Sequence, residues 1–167
     1  FRTVSGAVVN LADIQNNPDT YRDQMVTVVG QVYIPTSSRG SYASGYIQDG
    51  SGRGINLFSG PVLGDVNNVA NVVEITGTVI DSISAVSVTG YTANLLTGGQ
   101  PKLGPKVVYL REALSSEWEG TYIQTEGHMS RRDEQTDPTL VRFTATTRDT
   151  AFAGYRLWRG FAEGTVE

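Results

Sequence analysis

The sequence predicts an all-β protein that consists of one five-stranded barrel followed by a second, shorter barrel. Three observations carry this prediction. Apolar and polar residues alternate in several long runs, which is the period of a half-buried strand. A glycine-rich turn sequence joins two shorter β-forming runs. Two segments of the first half also recur, in register, in the second half, which indicates a duplication.

The hairpin in residues 45–58, GYIQDGSGRGINLF, is the clearest element. Asp-Gly followed by further glycine is a strong signal for a tight turn, because glycine adopts positive φ without strain. β-forming residues flank this turn on both sides. Since the glycine-rich loop leads into a strand and not into a helix, we interpret it as a turn and not as a phosphate cradle.

The other elements of the first barrel follow from periodicity. A short helix is predicted at residues 11–16, where Asn17-Pro18 ends it. Longer strands are predicted at residues 25–34, 71–81 and 83–96. Each of these strands has a glycine near its middle, and these are Gly30, Gly77 and Gly90. A glycine inside a strand is typical of a bulge or of a sharp bend at a barrel corner.

The duplication is visible in two aligned pairs of segments. VVNLADI at residues 8–14 aligns with VVYLREA at residues 107–113. YRDQMVTVVGQV at residues 21–32 aligns with WEGTYIQTEGHM at residues 118–129. In the second copy, Trp118 aligns ahead of the first strand and is predicted to be a core anchor.

These observations predict the domain boundaries: a barrel at residues 1–98, a linker at residues 99–106 and a second barrel at residues 107–167. The second copy has room for about four strands and is therefore incomplete. A missing closing strand leaves an edge with unpaired backbone groups. We expect that edge to pair with the first domain, with the N-terminal segment or with another chain, for example in a homodimer.

Composition restricts the classes of function. The chain has a net charge of −4 and a pI of about 5.0, which argues against binding to nucleic acid through bulk positive charge. Only Lys102 and Lys106 are lysines, and the other basic residues are arginines. Cysteine is absent, so disulfides and thiol chemistry are excluded. No apolar run is long enough to insert into a membrane. Because the sequence begins at Phe1, we expect a processed or excised polypeptide.

Catalytic motifs are not found in the sequence. His128 is the one histidine, which gives neither a zinc-binding spacing nor a base for a serine nucleophile. The acidic residues of the segment RRDEQTDP are balanced by two arginines and are interpreted as a solvated loop. The sequence therefore predicts a protein that is not an enzyme, with no cofactor and no metal.

Five strands with an insertion between the third and the fourth describe a Greek-key barrel of the OB-fold type. The run VTVVGQV … GYIQDGSGRGINLFSG … NVVEITGTVID resembles bacterial OB-fold domains of the nucleic-acid-binding type, over about residues 8–96. The resemblance implies a non-catalytic module that contacts single-stranded DNA or RNA. It also implies export in a bacterium, to the periplasm or the cell exterior, with the cytoplasm as the alternative. The alternative function is a module that binds carbohydrate or protein in an exported assembly.

In OB-folds the ligand lies on the second and third strands and on the flanking loops. Aromatic side chains there stack on bases, each contributing about 1–3 kcal/mol, and basic side chains follow the backbone. On this basis the candidate ligand-binding residues are Tyr33, Arg39, Tyr42, Tyr46, Gln48, Arg53, Asn56, Phe58 and Tyr91. The alternative for each aromatic residue is an ordinary strand position without a ligand. In the second copy, Trp158 is the surface candidate.

Overall fold

A computed structural model describes residues 7–39, 42–62, 64, 68–82, 85–109, 112–113, 115–124, 128–134, 140–146 and 155–158. The chain divides into two compact units. The first unit contains Phe1–Val107 and Ser115–Gln124, and the second contains Val108–Leu114 and Thr125–Glu167. The sequence analysis instead places a linker at residues 99–106 and begins the second barrel at residue 107.

The first unit is built on a closed barrel of five strands. Their bounds are β1 Met25–Arg39, β2 Tyr42–Gln48, β3 Gly54–Phe58, β4 Val72–Ser82 and β5 Ala85–Thr97. The strands close in the order β1-β2-β3-β5-β4. Neighbours are antiparallel except β3 and β5, which run parallel where Asn56 faces Ser87. This is the arrangement expected of an OB-fold barrel, and it confirms the five predicted strands of the first copy.

Strand β1 belongs to both sides of the barrel. Its first half pairs with β4 and its second half with β2, and Gln31 is paired with both. Val26, Val28 and Val32 are buried, as their alternation predicts. Tyr33 therefore lies on the opposite side of the strand, facing away from the barrel interior.

Two short helices precede the barrel, α1 at Leu11–Asn16 and α2 at Pro18–Tyr21. Leu11 and Ile14 are fully buried in the barrel core. The backbone N–H of Leu11 donates to the carboxylate of Asp49 at 2.9 Å, whereas the Asn10 side chain makes no capping bond. The turn between β2 and β3 thus caps the helix that packs against the core.

A bulge in β5 corrects one sequence prediction. Thr89 pairs with Thr78 and Thr92 with Thr76, so Gly90 and Tyr91 together face a single residue of β4. An extra residue of this kind changes which side of the sheet the next side chain faces. Tyr91 is 2% exposed in the core, and its hydroxyl donates to the Pro61 carbonyl at 3.0 Å. It does not join the ligand face as predicted.

The chain continues after the barrel with three short elements: β6 at Lys106–Val107, a 3₁₀ turn at Ser116–Trp118 and β7 at Ile123–Gln124. Strands β6 and β7 pair in parallel. None of the helices in the described part of the chain is long and apolar enough to cross a membrane.

The second unit contains a three-stranded antiparallel sheet in the order β10-β9-β8. Its strands are β8 His128–Glu134, β9 Leu140–Thr146 and β10 Tyr155–Trp158. The sequence analysis expects about four strands in the second copy, and residues 159–167 lie outside the described residues. The second barrel and the duplication therefore stay predictions.

Candidate ligand-binding face

Strands β1, β2 and β3 present a set of polar and aromatic side chains on their outer side. The register places Gln31 beside Gln48 and Tyr46 beside Asn56. We call this set the β1–β3 face, and its members are Gln31, Tyr33, Tyr46, Gln48 and Asn56. This is the side of the barrel on which the sequence analysis places a ligand.

Part of the β1–β3 face is covered by the chain itself. We call the covering segment, Ser115–Gln124, the strap. The Tyr33 hydroxyl donates to the carbonyl oxygen of Gly120, and the backbone N–H of Gly54 donates to Oγ1 of Thr121 at 3.0 Å. The strap therefore crosses from β3 towards β1.

Glutamine side chains of the face bind main-chain atoms of the crossing segments. The Gln48 side chain, 4% exposed, accepts from the Tyr122 N–H at 2.9 Å and donates to the Gly104 carbonyl at 3.4 Å. Gln31 donates to the Pro101 carbonyl at 2.8 Å and accepts from the Leu103 N–H at 2.5 Å. The predicted linker is thus fastened to the barrel.

The strap approaches β3 closely where two glycines meet. A Cβ added at Gly54 would overlap the carbonyl oxygen of Gly120. Gly120 has φ +69°, a left-handed conformation that a residue with a Cβ adopts only with strain. The backbone of the strap reaches the strand only because neither position has a side chain.

Aromatic rings form a row between the face and the strap. The ring of Tyr33 lies 5.9 Å from that of Tyr46 and 5.7 Å from that of Tyr122, measured between centroids, and the second pair is stacked at 21°. The ammonium of Lys102 lies 5.6 Å from the centroid of the Tyr122 ring. Burial raises the pKa of the Tyr33 hydroxyl well above its ordinary value, so Tyr33 stays a neutral donor.

A second aromatic group surrounds Trp118 of the strap. The guanidinium carbon of Arg53 lies 5.3 Å from the centroid of this indole, and the ammonium of Lys106 lies 6.0 Å from it. Such distances are within the range of cation–π attraction. Burial lowers the pKa of Arg53, while the nearby carboxylate of Glu117 opposes that shift. Both lysines of the sequence therefore lie over rings of the strap.

The junction of strap and barrel leaves polar atoms without partners. Among the described residues, Nε of Arg53, Oδ1 of Asn56 and Nε1 of Trp118 are buried and form no hydrogen bond. Arg53 is 7% exposed, and its side chain donates to Oδ1 of Asn16 at 3.5 Å. Within the described part of the chain, no carboxylate forms a salt bridge with this guanidinium. The carboxylate of Glu117 is near but forms no salt bridge, so it offsets only part of the cost of burying this cation.

The structure separates the predicted site residues into three groups. The first group lies together on the β1–β3 face and consists of Tyr33, Tyr46, Gln48 and Asn56. Beside it, Arg53 immediately precedes β3 and Phe58 is the last residue of β3. The backbones of Arg39 and Tyr42 pair at the β1–β2 turn, but their side chains lie outside the described part. Tyr91 is in the core.

Sequence reasoning missed the contribution of the strap and the segment before it. Trp118, predicted as a core anchor of the second copy, lies in the first unit and packs beside Arg53. Gln31, Lys102, Lys106 and Tyr122 were not predicted as site residues. The available signal was the restriction of lysine to two positions close together after the barrel.

Comparisons with known proteins place the chain in no family. No protein-family model matches it, and no curated protein matches it. Among solved structures, it is similar to a protein described as an aspartyl-tRNA synthetase from Leishmania major Friedlin, with a TM-score of 0.46 and 16% identity. That match covers 61% of this chain but only 23% of the synthetase chain.

A second similar structure is the E. coli protein ygiW, with a TM-score of 0.39 and 21% identity. The match covers 57% of this chain and 97% of ygiW. At these low scores, neither likeness bears on the function of the chain. The class of the first unit, an OB-like barrel with a partly self-covered outer face, follows from its own strand order and contacts.

Proposed function

We propose that the chain is a non-catalytic OB-fold binding module that contacts single-stranded nucleic acid on the β1–β3 face. One observation carries the proposal. In a chain of net charge −4, Arg53 and both lysines lie over the rings of Trp118 and Tyr122, beside that face. Aromatic rings interleaved with cations are what a single strand requires, since bases stack and phosphates need positive charge.

The accessible part of this surface supports the proposal. Lys102 and Lys106 are exposed, and the rings of Tyr46 and Tyr122 are half-buried. Each base stacked on such a ring would contribute about 1–3 kcal/mol. Three phosphate contacts would give a salt slope of about −2, because each contact on a single strand contributes about −0.7.

Fluorescence anisotropy with labelled oligothymidylate and oligouridylate over a series of salt concentrations tests this function. We expect binding at low salt, with a slope of log K against log salt near about −2. Lys106→Gln should reduce the slope by about 0.7. Arg22→Gln is the matched control, because Arg22 is engaged by Asp19 and Asp81 away from the face. Absence of binding to both oligonucleotides at low salt would overturn the proposal.

A second candidate function is the binding of an extended polypeptide. The observation that favours it is the pairing of the Gln31 and Gln48 amides with main-chain atoms. A synthetic peptide with the strap sequence, titrated into the full chain, tests it. Binding of this peptide without binding of either oligonucleotide would select the second candidate.

The proposal includes export to the periplasm or the cell exterior, which rests on the sequence resemblance alone. Fractionation of cells that produce the native full-length protein tests it. Recovery of the protein in the cytoplasmic fraction only would contradict export without affecting the binding proposal.

A further inference from the structure

We propose that the strap and single-stranded nucleic acid compete for the β1–β3 face, and that Arg53 and Asn56 become ligand contacts when the strap is displaced. The inference rests on the proposed function and adds a mechanism and two binding residues to it. The strap is then a displaceable cover and not a permanent wall of the barrel.

The strap resembles a bound polymer in the contacts it makes. Its ring at Tyr122 stacks on Tyr33 at 5.7 Å and 21°, and so covers a ring face on which a base could stack. The Gly120 carbonyl and the Thr121 hydroxyl accept hydrogen bonds from Tyr33 and from the Gly54 N–H, where a strand would supply phosphate or sugar oxygens, and the Tyr122 N–H donates to Gln48. A strand and the strap cannot occupy these positions on the barrel together. The displaced strap keeps its Trp118 and Tyr122 rings, which stay available to stack on bases beside the face.

The strap satisfies this surface incompletely. The unpaired atoms of Arg53, Asn56 and Trp118 all lie where the strap meets β3. Two of these atoms are N–H donors, and the guanidinium has no carboxylate in salt-bridge range among the described residues. A phosphate oxygen supplies an acceptor for Nε of Arg53 and a negative charge in direct contact with the guanidinium, whereas Asn56 would accept from a base or a sugar hydroxyl. The ligand named by the proposed function is therefore the one that completes the site.

Gly120 provides a way to weaken the strap without changing the barrel. Alanine at this position must adopt φ +69°, and its Cβ would lie 3.3 Å from the Gly54 carbonyl and from Cα of Ile55. Gly90 is a matched control, because it has φ +58° and open space around the position of a Cβ. Thr121→Val is a second strap variant of similar shape, which removes the acceptor of the Gly54 N–H.

The experiment uses the full chain with Trp158→Phe, so that Trp118 is the remaining tryptophan. Acrylamide quenching of Trp118 reports whether the strap is seated, and anisotropy with labelled oligothymidylate reports binding. If the covered state dominates, apparent affinity is reduced by the fraction of molecules that are open. In Gly120→Ala the left-handed conformation of alanine destabilises the seated strap and raises the fraction of open molecules. Binding should therefore tighten by about five- to thirtyfold, the factor equivalent to that conformational cost. Thr121→Val should tighten binding in the same direction.

The outcomes separate the inference from the proposed function. Tighter binding by both strap variants, unchanged binding by Gly90→Ala and greater quenching of Trp118 on addition of oligonucleotide support the inference. Equal affinity in the parent and both strap variants overturns the inference and leaves the proposed function intact. If neither the parent nor a strap variant with exposed Trp118 binds, the proposed function fails as well. Under the inference, Arg53→Gln in the Gly120→Ala background should remove the gain in affinity.

Discussion

Replacement of Gln48 by alanine tests whether side-chain amides hold the strap on the barrel. Gln48 is buried on the outer side of β2 and accepts from the Tyr122 N–H at 2.9 Å. Its second bond, to the Gly104 carbonyl at 3.4 Å, is long and contributes little. The variant leaves the Tyr122 N–H without this acceptor, which costs about 1–3 kcal/mol if the amide stays buried.

Two effects limit the change in global stability. Alanine has no rotamer to fix on folding, so the variant avoids a side-chain entropy cost of up to about 1.5–2 kcal/mol that glutamine carries. The strap can also separate locally, so that water hydrates the exposed amide. We therefore expect the free energy of unfolding to fall by only about 1 kcal/mol, which lowers Tm by about 2–4 °C in a chain of this size.

The local effect should be larger and is the one to measure. Hydrogen exchange at the Tyr122 amide, followed by NMR, should become about 5- to 150-fold faster, the factor equivalent to 1–3 kcal/mol. Exchange at Val28, deep in the barrel, should follow only the small global change. Gln100→Ala is the control, because the Gln100 side chain bonds within its own loop, to Thr97 and Gly98. Unchanged exchange at Tyr122 in Gln48→Ala would refute the idea that this amide fastens the strap.

Three further predictions concern the rest of the first unit. Asp49→Ala should lower stability by about 0.5–2 kcal/mol in thermal unfolding, because it removes the acceptor that caps Leu11 of α1. Burial raises the pKa of Tyr91 to about 12, so its contribution to stability is complete below about pH 10 and is lost as the pH rises to about 12. Tyr91→Phe should therefore flatten the alkaline loss in urea titrations, by about 2–3 kcal/mol. Arg22→Gln should leave Tm nearly unchanged at any salt concentration, because the ion pairs of Arg22 are exposed.

The sequence predicts the barrel well because periodicity and turn chemistry are local properties. Val26, Val28 and Val32 alternate with polar residues, and this pattern alone places Tyr33 on the outer side of β1. The hairpin is equally local, since the Asp-Gly turn positions Tyr46 opposite Asn56 once the register is fixed.

The covered state of the face could not be predicted, because it depends on contacts between residues far apart in sequence. Gln48 and Tyr122 are 74 positions apart, and no pattern within either segment indicates that they pair. The hairpin sequence predicts Arg53 at an exposed tip, whereas in the structure Trp118 packs against its guanidinium. The inward position of Tyr91 depends on the bulge at Gly90. The sequence predicts a bulge or bend at this glycine, but it does not show how the bulge shifts the register of the residues that follow.

The first unit is discontinuous in sequence, since residues 108–114, which belong to the second unit, separate its two parts. A gene truncated after residue 98 would encode all five barrel strands but would delete both hydrogen-bond partners of the Gln48 side chain, Gly104 and Tyr122. Such a fragment would expose the part of the β1–β3 face that these segments contact in the intact polypeptide. Interleaving of this kind also opposes recombination, because neither unit can be exchanged as a continuous cassette. The two units are therefore expected to be inherited together.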